Sequence, residues 1–278
     1  MFQEETFGKE SVPEPFDRLG ALLDMPEVDT WPEYREKFMS LWGRAPGQER
    51  WQLKDVTLPP EKHKQVMAVL EEFRLIKPWR PQHETYDYGV LPGATLTSMK
   101  ARLEWLAQLW KEGIRFSKLI VLTGQRPLTP SIDHFPEIMT TIAPDSGVNF
   151  NDPKIQPMHE TEAARLLLAF FPLPKGMDKV PVVYIDSPRQ WRGNNWERSH
   201  TGDTVDEWLK HNPKPGKTLV VSNQPSAHYQ EAVFLKELPS SFDVEMTTPA
   251  LASDIPLSVL LDAVSVWIRT TGDKPPKL

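Results

Sequence analysis

Hydrophobic residues follow a helical period in the first part of the chain. Aromatic residues recur at helical spacing over residues 31–42, and an apolar stripe runs over residues 60–75 after a pair of prolines. A short amphipathic stretch precedes them near residues 16–23. These patterns predict a helical N-terminal extension over residues 1–83, packed on a main domain over residues 84–278.

From residue 85 the pattern changes to alternating strands and helices. The run Thr85–Leu91 predicts a strand, and Leu96–Lys111 has the i, i+3, i+4, i+7 period of an amphipathic helix, ended by Gly113. Leu119–Gly124 is apolar throughout, as is typical of a parallel strand buried on both faces. The remaining predicted elements are a helix over 160–170, a strand over 180–186, a helix from about 201, a strand over 217–222, a helix over 227–235, a strand over 242–246 and a helix over 256–269. The alternation predicts a Rossmann-like, three-layer α/β/α domain with a mainly parallel sheet.

Two long connections interrupt this alternation. Residues 127–157 are rich in proline, and residues 187–200 form a polar stretch that carries Trp191 and Trp196. Because the 28 prolines are spread through the chain, we interpret these connections as ordered loops rather than disorder. Tryptophans at helical stripe positions, such as Trp110, are expected in the core, whereas Trp191 and Trp196 are open to stacking on a ligand or forming a lid.

Charge and composition limit the classes of partner and the cellular location that the sequence predicts. The formal net charge of -6 provides no broad positive field, so we expect no nucleic-acid partner. No run of about 18 apolar residues occurs, so no membrane span is expected. The N-terminal residues are acidic and show no secretory signal, which predicts a cytoplasmic protein, although export without a cleavable signal stays open.

Motifs with specific chemistry are missing from the sequence. It contains no cysteine, neither of the glycine-rich phosphate motifs and no H-E-x-x-H, and its seven histidines are not clustered, so no metal site is predicted. Candidate site residues are therefore identified by their position in the predicted fold and not by a motif. Ligands of open parallel sheets bind at the carboxyl ends of the strands, near the point where the strand order reverses.

The turn after the first predicted strand is the first candidate. Gly93, Thr95 and Thr97 stand where backbone N–H groups and the positive end of a helix dipole favour an anion. Alternatively, Thr95 only caps the helix and Gly93 only makes the turn. Both interpretations stay open on the sequence alone.

The turn after the second predicted strand carries Gly124, Gln125 and Arg126. An arginine at a strand end can clamp a carboxylate or phosphate through two parallel hydrogen bonds. The alternative is a structural arginine paired with an acidic neighbour. Glu160 opens the next predicted helix, where a carboxylate is favourable without any ligand.

Later strand ends add two candidate acid/base residues and a polar segment. Asp186 stands at the end of a predicted strand, where it can accept from a ribose hydroxyl, act as a base or cap the loop. Ser222, Asn223 and Gln224 can orient a ligand or satisfy their own loop. His228 starts a helix near a strand end, a position equally compatible with a structural histidine.

Residues 86–250 resemble the DUF218 (YdcF-like) family of bacterial α/β proteins. The similar stretches are Met99-Lys-Ala-Arg102, Leu122-Thr-Gly124, Glu160-Thr-Glu162, Thr201-Gly-Asp-Thr204 and Val221-Ser-Asn-Gln-Pro-Ser-Ala-His228. The resemblance implies a Rossmann-like fold with a strand-end pocket for a nucleotide-like ligand, with S-adenosylmethionine as a candidate. It also adds Arg102 and Glu160 to the site.

Two functional hypotheses follow. The first is a protein of undefined reaction that binds a small anionic or nucleotide-like molecule across the strand ends, with Asp186 or His228 as acid/base and Arg126 as charge stabiliser if it is an enzyme. The second is a non-catalytic interaction protein that presents tryptophan-rich surfaces. The sequence predicts a deep polar strand-end pocket for the first, and strand ends filled by the protein's own side chains for the second.

Overall fold

The computed structural model describes residues 11–45 and 47–276, except the side chain of Trp51. The outermost residues of the predicted extension and main domain, 1–10 and 277–278, therefore lie outside the described residues. The strands are β1 (Thr85–Pro92), β2 (Arg115–Gly124), β3 (Val182–Ser187), β4 (Gln190–Arg192), β5 (Asn195–Glu197), β6 (Lys217–Val221) and β7 (Asp243–Thr247). The helices are α1 (Glu14–Leu22), α2 (Trp31–Trp42), α3 (Pro60–Glu72), α4 (Leu96–Lys111), α5 (Pro130–Asp133), α6 (Phe135–Ile142), α7 (Glu160–Phe170), α8 (Thr201–Leu209), α9 (Ala227–Glu237) and α10 (Leu257–Thr270).

The chain divides into two compact units. Of the described residues, the first contains 11–45, 47–77, 224–232 and 250–276, and the second contains 78–223 and 233–249. The C-terminal helix α10 therefore belongs with the N-terminal helices, whereas the sequence grouped it with the sheet domain. Local patterns show that a helix forms but not which distant segment it packs against.

The second compact unit is built on a five-stranded parallel sheet in the order β3-β2-β1-β6-β7. Helices α4 and α7 cover one face, where Leu119 and Val121 of β2 join their core. Helix α8 packs against β2 and β3, and its Trp208 contacts Tyr88 of β1 edge to face at 5.4 Å. The structure confirms the predicted three-layer α/β/α architecture.

The first compact unit has its own hydrophobic core. Phe16, Phe73 and Trp267 bring α1, the end of α3 and α10 together, with ring centroids 4.5–5.8 Å apart. Helix α10 is buried around most of its circumference, as its largely apolar sequence predicts. This explains why a helix far along the chain can complete a core begun by the first three helices.

Two predictions for the loops were incomplete. The proline-rich connection 127–157 contains the short helices α5 and α6, each begun by a proline in its first turn. The polar loop 187–200 contains the antiparallel hairpin β4–β5. These elements are only three to eight residues long, so they show no period that a hydrophobic pattern could reveal.

Residues 11–45 and 47–276 include no helix that is both long enough and apolar enough to cross a membrane.

Candidate functional site

The reversal of strand order locates the candidate site in the second compact unit. From β1 the chain builds the sheet outward through β2 to β3, and then returns to the other side of β1 to place β6 and β7. The carboxyl ends of β1 and β6 therefore flank the switch point. Gly93 follows β1 at this point, and Ser222 and Asn223 follow β6.

A buried arginine joins these two strand ends. Arg102 of α4 donates from Nη1 to the carbonyls of Pro92 and Gly93 at 2.8 and 3.3 Å, and from Nε to Oδ1 of Asn223 at 2.5 Å. Its side chain is buried. The predicted site residues Gly93, Arg102 and Asn223 thus lie together, with the amide of Asn223 oriented by a charged donor.

Ser222 belongs to the same strand end but is turned to the backbone. Its N–H donates to the carbonyl of Thr247 at 2.8 Å and its hydroxyl to the carbonyl of Asn223 at 3.4 Å. The side chain is fully buried. Ser222 therefore extends the pairing of β6 with β7 beyond the last ladder residue.

Gly93 allows a carboxylate to approach the backbone of the first turn. A Cβ atom added at Gly93 would lie 1.9 Å from Oε1 of Glu160. The same oxygen accepts from the N–H of Gly124 at 3.2 Å. Glycine is favoured at position 93 because a Cβ atom would displace the Glu160 carboxylate from its bonds to Gly124 and Arg126.

The start of α4 is satisfied by the protein's own groups. The hydroxyl of Thr95 accepts from the N–H of Ser98 at 3.4 Å, and the N–H of Leu96 donates to Oδ1 of Asp133 at 3.1 Å. Asp133 is fully buried and comes from α5. A carboxylate of the chain therefore occupies the position at which the sequence predicted a ligand anion, while Thr97 is exposed in the first turn.

Arg126 lies between two carboxylates. Its two terminal nitrogens donate to both oxygens of Asp133 at 2.8 and 2.9 Å, and its Nε donates to Glu160 at 3.0 Å. It also donates to the carbonyl of Ala94 at 3.1 Å. The geometry agrees with the structural alternative weighed for this residue, in which Arg126 pairs with acidic neighbours.

The ionisation of this cluster follows from burial and pairing. Burial opposes the charge on Asp133, but hydrogen bonds from Arg126, Thr129 and Leu96 outweigh it and hold its pKa below the usual range. Burial raises the pKa of Glu160, and Arg126 only partly compensates. Burial likewise disfavours the charge on Arg126, yet its two carboxylate partners raise its pKa.

Asp186 at the end of β3 forms a second polar group beside this cluster. Its two oxygens accept from the hydroxyl of Thr161 at 2.6 Å and from the side-chain amide of Gln125 at 3.2 Å. The hydroxyl of Thr123 in turn donates to that of Thr161 at 2.9 Å. Asp186 and Gln125 are half-buried, so both can be reached by a ligand.

The hairpin β4–β5 is attached next to these strand ends. Ser199, which follows β5, lies against Gly124 at the end of β2, and its hydroxyl donates to the carbonyl of Pro188 at 2.6 Å. Arg192 of β4 is paired with Asp203 of α8. Trp191 and Trp196 contact each other at 5.4 Å and are more than half exposed. The hairpin is thus fixed at its base and exposes an aromatic pair.

Gln224 and His228 belong to the first compact unit. The amide of Gln224 donates to the carbonyls of Arg74 and Lys77 at 2.7 and 3.2 Å. Nε2 of His228 is 2.7 Å from the carbonyl of Phe73, and the ring stacks on Trp267 at 3.9 Å. These contacts hold both side chains within their own unit, although Oε1 of Gln224 is buried without a hydrogen-bond partner among the described residues. The predicted ligand roles of both residues stay predictions.

Asp133 was not singled out from the sequence, and Thr161 appeared only within the stretch Glu160-Thr-Glu162, although they bond the site residues Arg126 and Asp186. Thr129-Pro130 is a helix-start signal that could have revealed α5 and drawn attention to the acidic residue that follows. No local signal shows that this residue pairs with Arg126. That contact depends on how α5 folds back on the strand ends.

The comparisons add no relative to this description: no protein-family model, no curated protein and no solved structure matches the chain.

Proposed function

We propose that the second compact unit binds a small nucleotide-like ligand at the carboxyl ends of its parallel strands, with S-adenosylmethionine as a candidate. The observation that carries the proposal is the switch point between β1 and β6. There Arg102 holds the carbonyls of the β1 turn and the side chain of Asn223 together. Crevices at such points are the usual ligand sites of open α/β sheets.

The charges favour a ligand with hydroxyl groups over a bare phosphate. The N–H of Leu96 at the start of α4 and the guanidinium of Arg126 already serve Asp133 and Glu160. Asp186, by contrast, is half-buried and offers carboxylate oxygens that can accept further hydrogen bonds from a ribose. The resemblance to the DUF218 family points to the same class of ligand.

If the ligand also reacts at this site, the reaction needs an acid/base group and a charge stabiliser. Asp186 is then the acid/base candidate, because its carboxylate is partly open. Arg126 is the charge stabiliser only if substrate displaces one of its carboxylates, since all its nitrogens already have partners. We therefore propose binding, and assign no reaction.

A binding titration tests the proposal. S-Adenosylmethionine, adenosine, ATP and inorganic phosphate are titrated into the protein by calorimetry. The Asp186→Asn variant should weaken binding of the nucleosides about tenfold, because a hydrogen bond from a ligand hydroxyl to a carboxylate is replaced by a neutral one. Asp243→Asn removes the same charge at the opposite end of the sheet and should bind like the wild type. Absence of binding by all four compounds, or equal affinities in the two variants, contradicts the proposal.

The exposed pair Trp191 and Trp196 favours a second candidate, an interaction protein that uses the β4–β5 hairpin. The filling of the α4 start and of Arg126 by the chain's own carboxylates, Asp133 and Glu160, is also what this candidate predicts. Exposed aromatic side chains are typical of binding surfaces, and Trp110, Trp208 and Trp267 are in contrast buried in cores. Replacing both exposed tryptophans by serine should abolish the capture of specific partners by the full chain. An identical set of captured proteins with wild type and variant removes this candidate.

A further inference from the structure

A cavity of the first compact unit lies between the end of α2 and α10. Its volume is about 320 Å³. The residues that line it and matter here are Gly43, Arg44, Gln48, Asp262, Ser265 and Arg269. None of them was a candidate from the sequence, and none belongs to the strand-end site of the second unit.

A single carboxylate organises the wall of this cavity. Asp262 of α10 is fully buried, and its two oxygens accept from Nε of Arg44 at 2.9 Å and from Nε of Arg50 at 3.2 Å. The N–H of Arg44 also donates to it at 3.3 Å. Asp262 thus fixes two guanidinium groups by their Nε atoms and leaves their terminal nitrogens directed to other partners.

Those terminal nitrogens are not all used. Nη1 of Arg50 donates to the hydroxyl of Ser226 at 2.6 Å, and Nη1 of Arg44 to the carbonyl of Gln48 at 3.4 Å. Among the described residues, Nη2 of Arg44 has no hydrogen-bond partner, and Arg269 has neither an ion pair nor a side-chain hydrogen bond. A planar guanidinium with a free edge matches the geometry of a carboxylate or phosphate.

The charges around the cavity do not balance. Two arginines, Arg44 and Arg269, line the cavity together with one carboxylate, that of Asp262, and this carboxylate is also paired with Arg50 outside the lining. Burial lowers the pKa of Arg50; Asp262 opposes that shift, and the neighbouring Arg44 adds to it. An anion in the cavity would add a counter-charge beside Arg44, whose side chain is only 22% exposed and is therefore less screened by water than a surface cation.

We propose that this cavity binds the oxyanion group of a small molecule, a phosphate or a carboxylate, between the free edges of Arg44 and Arg269. Asp262 is a positioning residue in this site, since it orients Arg44 without contacting the ligand. A volume of about 320 Å³ accommodates a small metabolite rather than a macromolecule.

Arg269 has one favourable interaction that needs no ligand. It lies in the last turn of α10, where a cation interacts with the negative end of the helix dipole. The test must therefore separate a loss of stability from a loss of anion binding.

The test measures anion binding by isothermal calorimetry in the full chain, with inorganic phosphate and malonate as probes at constant ionic strength. Arg269 is exposed, so Arg269→Gln should fold, as its circular dichroism spectrum and chloride-buffer melting temperature can verify. Lys64→Gln is the matched control, because Lys64 is an exposed cation on α3 of the same unit with no ion pair among the described residues.

We expect saturable binding of at least one probe by the wild type and Lys64→Gln, and binding about tenfold or more weaker in Arg269→Gln. Phosphate binding without malonate binding assigns a phosphate group to the ligand, and the reverse assigns a carboxylate. Arg269→Glu should abolish binding, since it places a like charge beside the anion. The proposal is overturned if neither probe binds the wild type, or if Arg269→Gln and Lys64→Gln bind equally well.

Discussion

Protonation of His228 is expected to destabilise the first compact unit. The imidazole is buried, stacks on Trp267 and makes a hydrogen bond of 2.7 Å to the carbonyl of Phe73. Burial lowers its pKa from 6.5 to about 4, and the nearby Arg74 acts in the same direction. The folded unit therefore resists a proton that the unfolded chain accepts readily.

The size and sign of the effect follow from this difference. A pKa lowered from 6.5 to about 4 corresponds to about 3 kcal/mol, because each pKa unit is worth about 1.4 kcal/mol. The full stability is present above pH 6.5 and is lost progressively as the pH falls towards 4, with about 2 kcal/mol lost by pH 5.

Chemical denaturation at a series of pH values between 4.5 and 7.5 tests this linkage. His228→Gln keeps a donor that can reach the carbonyl of Phe73 but cannot titrate. The difference in unfolding free energy between wild type and variant should therefore shrink as the pH falls. Glu231 lies 4.0 Å from Nδ1 of His228, and burial raises its pKa, so the pair is also compared in a Glu231→Gln background.

A direct titration makes the argument refutable even if unfolding is not two-state. The imidazole resonances of His228, assigned as those missing from the variant, should shift by only about a tenth of their full titration range between pH 7.5 and 5. A midpoint near 6.5, or parallel stability curves for wild type and variant, would show that the ring is accessible to water and that the reasoning from burial is wrong.

Two further predictions concern the strand ends of the second unit. Gly93→Ala should lower the unfolding free energy by about 2 kcal/mol or more in urea denaturation, because its Cβ would collide with Glu160. Gly202→Ala should be neutral or stabilising, because no atom lies closer than 3.6 Å to the added Cβ. Equal effects of the two substitutions would contradict the close approach of Glu160 to Gly93. Asp133→Asn should lower the unfolding free energy by about 3 kcal/mol in the same assay, since it leaves Arg126 partly unpaired in a buried position. Because the pKa of Asp133 is lowered in the folded protein, the stability of the wild type should also fall as the pH drops below about 4. A denaturation midpoint of Asp133→Asn equal to that of the wild type would refute the pairing.

The sequence predicted the elements that have a long, regular period. Helix α4 begins and ends where its apolar stripe does, and β2 contains the predicted run with a few residues added at its start. Helix α7 likewise matches its prediction. Such elements are set by the local pattern, because one face of each must be buried.

Contacts between distant segments could not be predicted in this way. The residue type of Arg126 is compatible with a ligand clamp and with a structural ion pair, and only the position of Asp133 on α5 distinguishes them. The same holds for Asp262, which lies in an apolar helix and gives no sign of its two arginine partners. Pairing of buried charges depends on tertiary structure, which a local hydrophobic period does not reveal.

The first compact unit is assembled from segments far apart in the chain, and this has a consequence for its folding during synthesis on the ribosome. Helices α1–α3 emerge early, but the apolar surface that they share with α10 can be covered only after residues 257–270 have been translated. During that interval Phe16 and Phe73 belong to an incomplete core, a state in which exposed apolar surface promotes aggregation. Nascent chains released before α10 should therefore be substrates for chaperones, while full-length chains should not.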